Sequence, residues 1–185
     1  DEVKQLILGG ARSGKSRLAE SRAADSNKEV IYIATAQAFD AEMESRIQLH
    51  RDARPDHWIV VEEPRELPKV LAQYAASSRC ILVDCLTLWV SNLLLAGYDE
   101  QDDAFDTQLL ETEIQALYRC LDELPGDVIF VSNEVGWGIV PMGALSRIFQ
   151  DQTGWLHQRL GALCDGVTLV VAGIPMEIKT PAVNA

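Results

Sequence analysis

Short apolar runs punctuate the chain at 3–8, 30–34, 80–84, 128–132 and 167–172, each bounded by polar or glycine-containing segments. Runs of this length with little alternation predict strands covered on both faces. Between them the spacing turns helical. Leu110, Ile114, Leu117 and Leu121 make one clean stripe, and Ile148, Gln152, Leu156, Leu160 and Leu163 a looser one. Strands alternating with helices predict an α/β fold, a mainly parallel sheet flanked by helices on both faces. "WIVVEEP" (58–64) is a further extended piece, expected at a sheet edge or in an excursion between strands, and "GYDEQDDAFD" (97–106) reads as a solvated acidic loop. Residues 1–185 contain no repeat or linker, so one domain is expected.

The first strand runs into "LGGARSGKSRLAE", which sets Gly9, Gly10, Ala11, Arg12, Ser13, Gly14, Lys15 and Ser16 between a strand and a helical pattern. This is the P-loop spacing in its required context. Glycines let backbone N–H groups curl around phosphates, and the helix dipole adds positive potential. Lys15 is expected at the β/γ phosphates, as a catalytic charge, and Ser16 on Mg²⁺. "CILVDC" (80–85) then fits a Walker B strand, with Asp84 as the second metal-side group. The fold expectation sharpens to a P-loop NTPase of RecA-like type, a single nucleotide-binding catalytic domain.

Composition narrows the ligand. The 185 residues are 48% hydrophobic, enough for a core without disulfides, and 28 acidic against 16 basic residues give a net charge of -12. That charge argues against nucleic acid and anionic membrane as partners, but a local donor cluster can still hold a phosphate. Cys80, Cys85, Cys120 and Cys164 form no C-x-x-C pair, so reduced, buried thiols and a cytoplasmic location are expected. The acidic start lacks an apolar signal-peptide core, and the most apolar stretch, 80–97, is broken by Asp84 and Asn92, so no membrane insertion is expected.

"RIQLHRDARP" (46–55) places one histidine among Arg46, Arg51 and Arg54. Asp40 suits the N-cap of a helix with Glu42 and Glu44 in its first turn, and Pro55 ends the segment. Met43, Ile47 and His50 then share one face. A histidine continuing an apolar face is commonly a packed structural residue. The opposing reading is a nucleophile: neutral imidazole can attack phosphorus, arginines can neutralise the phosphates, and protonation makes the ring a good leaving group. Residue chemistry alone leaves both open.

Taken in order, "GGARSGKS", "YIATAQ" (32–37), "RIQLHRDARP", "VEEP", the Walker B-like strand, "SNEVGWGIVP" (132–141) and "VVAGIPMEIK" (170–179) resemble the bifunctional adenosylcobinamide kinase / adenosylcobinamide-phosphate guanylyltransferase family of cobalamin biosynthesis. The resemblance covers essentially the whole chain and is most specific in the histidine and "NEVG-G-VP" segments. It implies phosphorylation of the aminopropanol hydroxyl of the corrinoid adenosylcobinamide by ATP or GTP. Transfer of GMP from GTP through a covalent histidine would follow, with His50 at the matching position and pyrophosphate released. It further implies nucleotide contacts from Gly9 through Ser16, from Ala34, Thr35 and Ala36, from Arg51, Asp52, Ala53 and Arg54, and from Glu62 and Asp84. Position 84 is often Glu in that family and is Asp here. A homotrimer is implied too, with the apolar 86–96 segment either an interface or a buried helix. Asn133 and Glu134 are expected at the ligand-binding edge of the sheet, and Trp137 beside the corrinoid. An ordinary P-loop kinase would leave His50 unexplained, and a GTP-binding switch would need an N-K-x-D segment, which the sequence lacks.

Overall fold

A computed structural model describes residues 2–37 and 41–182, the side chain of His50 excepted. All five apolar runs become strands of one sheet: β1 (Lys4–Gly9), β2 (Glu29–Ala34), β4 (Arg79–Asp84), β7 (Asp127–Asn133) and β8 (Gly166–Val171). The sheet has seven strands in the order β3-β2-β4-β7-β1-β8-β9, parallel except for the antiparallel β8–β9 pair. β3 (Ile59–Glu62), the short piece within 58–64, pairs with β2 at the end of the strand order, and so takes the edge, the first of the two places open to it. RecA-like P-loop architecture follows from this parallel core, in which β7 pairs with β1 and separates it from β4, the Walker B-like strand.

Successive residues of the central strands point into two cores. Leu6, Ile31, Ile33, Ile81, Val83 and Phe130 pack against α3 (Leu67–Tyr74), α4 (Leu86–Ala96), α5 (Gln108–Leu121) and α6 (Ala144–Leu163). Ile7, Tyr32, Leu82, Ile129 and Val131 pack on the other face against Ala19 and Ala23 of α1 (Lys15–Asp25). Those alanines, one helical turn apart, let α1 approach the sheet closely. The stripe Leu110, Ile114, Leu117 and Leu121 is buried on α5, each such side chain contributing about 1.5–3 kcal/mol. On α6, Leu156 and Leu160 are buried while Ile148, Gln152 and Leu163 are only partly so.

Some expectations change. The apolar 86–96 segment is α4, whose Leu86, Trp89, Val90, Leu93 and Leu94 belong to the chain's own core. Its apolarity is thereby accounted for within one chain. Residues 98–99 and 104–105 of the acidic segment pair as the short strands β5 (Tyr98–Asp99) and β6 (Ala104–Phe105), where Tyr98 and Phe105 stack at 4.7 Å. β9 (Ile174–Lys179) extends the sheet beyond β8 through a turn at Ala172 and Gly173, both at positive φ. All four cysteines are free; Cys120 is half-buried rather than buried. Among the described residues no helix is long and apolar enough to cross a membrane.

Candidate active site

The phosphate loop leaves β1 at Gly9 and enters α1 through Gly14, whose φ of +98° only glycine adopts without strain. Two backbone bonds hold the loop from outside. Glu134 N–H donates to Gly9 O at 3.0 Å, and Gly173 N–H to Ser13 O at 2.7 Å. The second explains why β9 follows β8 so tightly: its turn braces the phosphate loop. A Cβ on Gly14 would stand 3.2 Å from Gly173 Cα, so glycine is needed on both conformational and steric grounds. Lys15 is buried, its ammonium donating to Gly10 O at 3.0 Å, which folds the side chain back over the loop. The Ser13 hydroxyl is buried with no partner among the described residues, a donor suited to a phosphate oxygen.

A cleft of about 440 Å³ opens beside the loop, lined by Ser16 and Glu20 of α1, Tyr32 and Ala34 of β2, Ala36, Ile47, Arg51, Arg54, Glu62, Asp84 and Leu88. Its floor is an ordered polar chain. Tyr32 O–H donates to Asp84 Oδ2 at 2.6 Å, and the Arg54 guanidinium lies 3.5 Å above the Tyr32 ring. Burial, then the Asp84 charge, push the Tyr32 phenol far above its ordinary range, so it remains a donor. Arg54 Nε has no hydrogen-bond partner among the described residues, and its carboxylate neighbour, Glu20, stands at 3.7 Å. Such a buried guanidinium keeps donors for an anion. A larger groove of about 630 Å³ between α5 and α6 contains no phosphate-loop residue and lies apart from this chemistry.

The arginines of 46–54 divide. α2 (Ala41–Asp52) turns Arg51 toward Glu62 in an ion pair and leads Arg54 into the cleft, whereas Arg46 pairs with Glu42 at 3.1 Å in the open. His50 stands in the last turn of α2; its side chain, and the expected Asp40 cap, lie outside the described residues. No described residue of α2 is buried, and Met43, Ile47 and Arg51 alone are half-covered. Asp52 accepts from Gln48 and, like Ala53, is exposed beyond the cleft wall.

Ala34 and Ala36 line the cleft, but Thr35 does not face it. Thr35 is fully buried: its hydroxyl bridges Cys85 N and O, its N–H donates to Asp84 O, and its carbonyl accepts from Asn92. Thr35 thus couples the ends of β2 and β4, and so positions Asp84. Asn133 donates to the Thr87 hydroxyl at 2.8 Å. His157 bonds Ser132 at 2.6 Å, and burial lowers its basicity against the pull of Glu134, which marks it as a neutral structural residue. Tyr32, Glu20 and Leu88 escape sequence reasoning. Tyr32 lies inside "YIATAQ" and Glu20 at the end of "LGGARSGKSRLAE", but neither motif says that these side chains meet in the cleft.

Comparisons with known proteins agree with this geometry. The family described as cobinamide kinase / cobinamide phosphate guanyltransferase matches residues 5–178. The bifunctional adenosylcobalamin biosynthesis protein CobP of Pseudomonas aeruginosa is 55% identical over 177 residues, 96% of this chain and 98% of its own. The corresponding CobU protein of Escherichia coli is 44% identical over 94% of this chain and 98% of its own. Among solved structures, the RadB recombinase matches 90% of this chain and 73% of its own with a TM-score of 0.50 at 18% identity, a likeness of fold alone. With a family match spanning nearly all of the described sheet and two full-length relatives, the chain belongs to the cobinamide kinase / cobinamide phosphate guanyltransferase family.

Proposed function

We propose that this chain carries out both family reactions at one nucleotide cleft. In the first, the aminopropanol hydroxyl of adenosylcobinamide attacks the terminal phosphorus of ATP or GTP. In the second, His50 attacks the α-phosphorus of GTP, pyrophosphate leaves, and the histidine-bound GMP passes to the corrinoid phosphate to give adenosylcobinamide-GDP. The observation that carries this reading is one cleft lined jointly by Ser16, Asp84, Arg51 and Arg54, with the helix bearing His50 alongside. The loop from Gly9 to Ser16 is placed to cradle phosphates, Lys15 to neutralise charge at the β/γ bridge, and Arg51 and Arg54 to gather phosphates near His50. Each arginine already faces a carboxylate, Glu62 and Glu20 respectively, so an arriving polyphosphate exchanges partners rather than meeting bare charge.

The donor set also fits Mg²⁺. A hard cation of this size takes oxygen ligands and commonly only one or two from protein, the rest from phosphates and water. Ser16 and Asp84 line the same cleft, Tyr32 occupies only one Asp84 oxygen, and no cluster of three His, Cys, Asp or Glu exists among the described residues. Ser16 and Asp84 would hold the ion, which neutralises charge on the phosphates when bound. Aspartate in place of glutamate suits this crowded floor, since Tyr32 already meets it at hydrogen-bond distance. A homotrimer, as the resemblance implies, would need a surface other than the core-facing side of α4.

The test uses GTP labelled in turn at the α and γ phosphates, without corrinoid. α-Label should attach to the protein, survive alkali and vanish in acid, as a phosphoramidate does, while γ-label should not attach. His50→Ala should lose the adduct yet keep kinase activity, because direct transfer to an alcohol needs no enzyme nucleophile. Undiminished α-label in His50→Ala would refute the covalent role.

A further inference from the structure

A second cleft, of about 370 Å³, adjoins the nucleotide cleft. Ala11 of the phosphate loop, Thr87, Leu88 and Ser91 of α4, Glu134 and Phe149 form its walls. Leu88 lines both clefts, so the two chambers meet across one side chain, with the phosphate loop bordering each. This placement matches the demand of phosphoryl transfer, in which acceptor and leaving oxygen stand on opposite sides of the moving phosphorus.

Glu134 is tied to the loop by its own backbone, through the 3.0 Å bond to Gly9 O. Its Oε1 accepts from Gly136 N–H at 2.6 Å, which orients the carboxylate and leaves the second oxygen available. The other carboxylates lining the two clefts are engaged: Glu20 with Arg54, Glu62 with Arg51, Asp84 with Tyr32. Among the described residues no cation pairs with Glu134, so its charge is not already spent.

We propose that this second cleft receives the acceptor alcohol and that Glu134 is the catalytic base of the kinase step. The inference rests on the kinase reading above. As the alcohol oxygen bonds the terminal phosphorus, the bond from that phosphorus to the β-phosphate oxygen breaks. The nucleoside diphosphate leaves with the electron pair, and the alcohol proton passes to Glu134. A discriminating consequence follows from acceptor chemistry. An aliphatic alcohol must lose a proton to become a phosphate ester, whereas the acceptor of the second reaction is a phosphate monoester, largely dianionic near neutral pH, whose oxygen attacks without help from a base. A base at Glu134 serves the first reaction only.

The experiment assays Glu134→Gln in the two half-reactions separately, supplying adenosylcobinamide for one and preformed adenosylcobinamide phosphate for the other. Kinase kcat should fall on the order of a hundred-fold or more, with guanylylation within about two-fold of the parent. Equal losses in both would overturn the proposal and make Glu134 a support of the loop; an unchanged kinase rate would overturn it outright. Should Glu134→Gln melt early, Glu134→Asp keeps the charge but withdraws it by one methylene, and must still slow the kinase selectively. Lys15→Ala separates this from failure of the nucleotide reading: it should depress both half-reactions, and if it depresses neither, the nucleotide site itself is misassigned.

Discussion

Tyr32 sits in mid-strand among Ile31 and Ile33, and in sequence it looks like one more core residue. Its hydroxyl reveals another task, since it fixes the carboxylate of Asp84 while its ring carries Arg54. Lys15, Ser16 and Asp84 were legible because each stands at a fixed distance from a strand end. Tyr32 was not, because a strand's alternation says which face a side chain takes, not what its tip meets there. The same blindness hides that Arg46 pairs with Glu42 in the open and that Thr35 is a buried brace. Tyr32→Phe should therefore act through Asp84. We expect the Mg²⁺ concentration for half-maximal kinase activity to rise several-fold, with stability lower by about 1.5–3 kcal/mol for the lost hydrogen bond to a charged group. A metal titration beside a denaturant melt checks both, and an unshifted titration would remove Asp84 from the metal side.

Elements were read well where their hydrophobic pattern was driven by burial on two faces, as in β1, β2, β4, β7 and β8. β9 was missed because it has no such pattern: residues 174–178 are all exposed, and Pro175 weakens any strand reading. Its turn, Ala172-Gly173, lacks the Asn-Gly or Asp-Gly signal of a two-residue hairpin although both residues take positive φ. Yet this element supports the phosphate loop through the Gly173 bond. Gly14→Ala tests the junction, since it forces a side chain into a left-handed backbone and against Gly173 Cα at 3.2 Å. A loss of about 1–2 kcal/mol is expected from the backbone alone, with weaker nucleotide binding. Gly10→Ala is the control, because a Cβ there meets nothing within 4 Å, and its melting temperature should stay near the parent's. Equal melting of the two variants would mean that the junction is not tight.

For the molecule as a whole, the alternation of strands and helices and several residues lining the first cleft could be read from the chain, while the second cleft could not. It is assembled from the phosphate loop, α4, the segment after β7 and α6, which no spacing rule joins. The net charge of -12 likewise hides a local cluster of arginine at one sheet edge. The central strands β1, β2, β4 and β7 and the inner side of α4 are locked by side chains with almost no exposure, whereas α2 has no buried described residue and is secured in part by the Arg51–Glu62 ion pair. Opening α2 exposes little apolar surface, so its amides should exchange with deuterium through a local event far cheaper than global unfolding. Amides of β1, β4 and β7 should exchange only through global unfolding. The residue proposed to become covalently modified would thus ride on the least protected helix of a rigid scaffold, and bound GTP should slow exchange most sharply there.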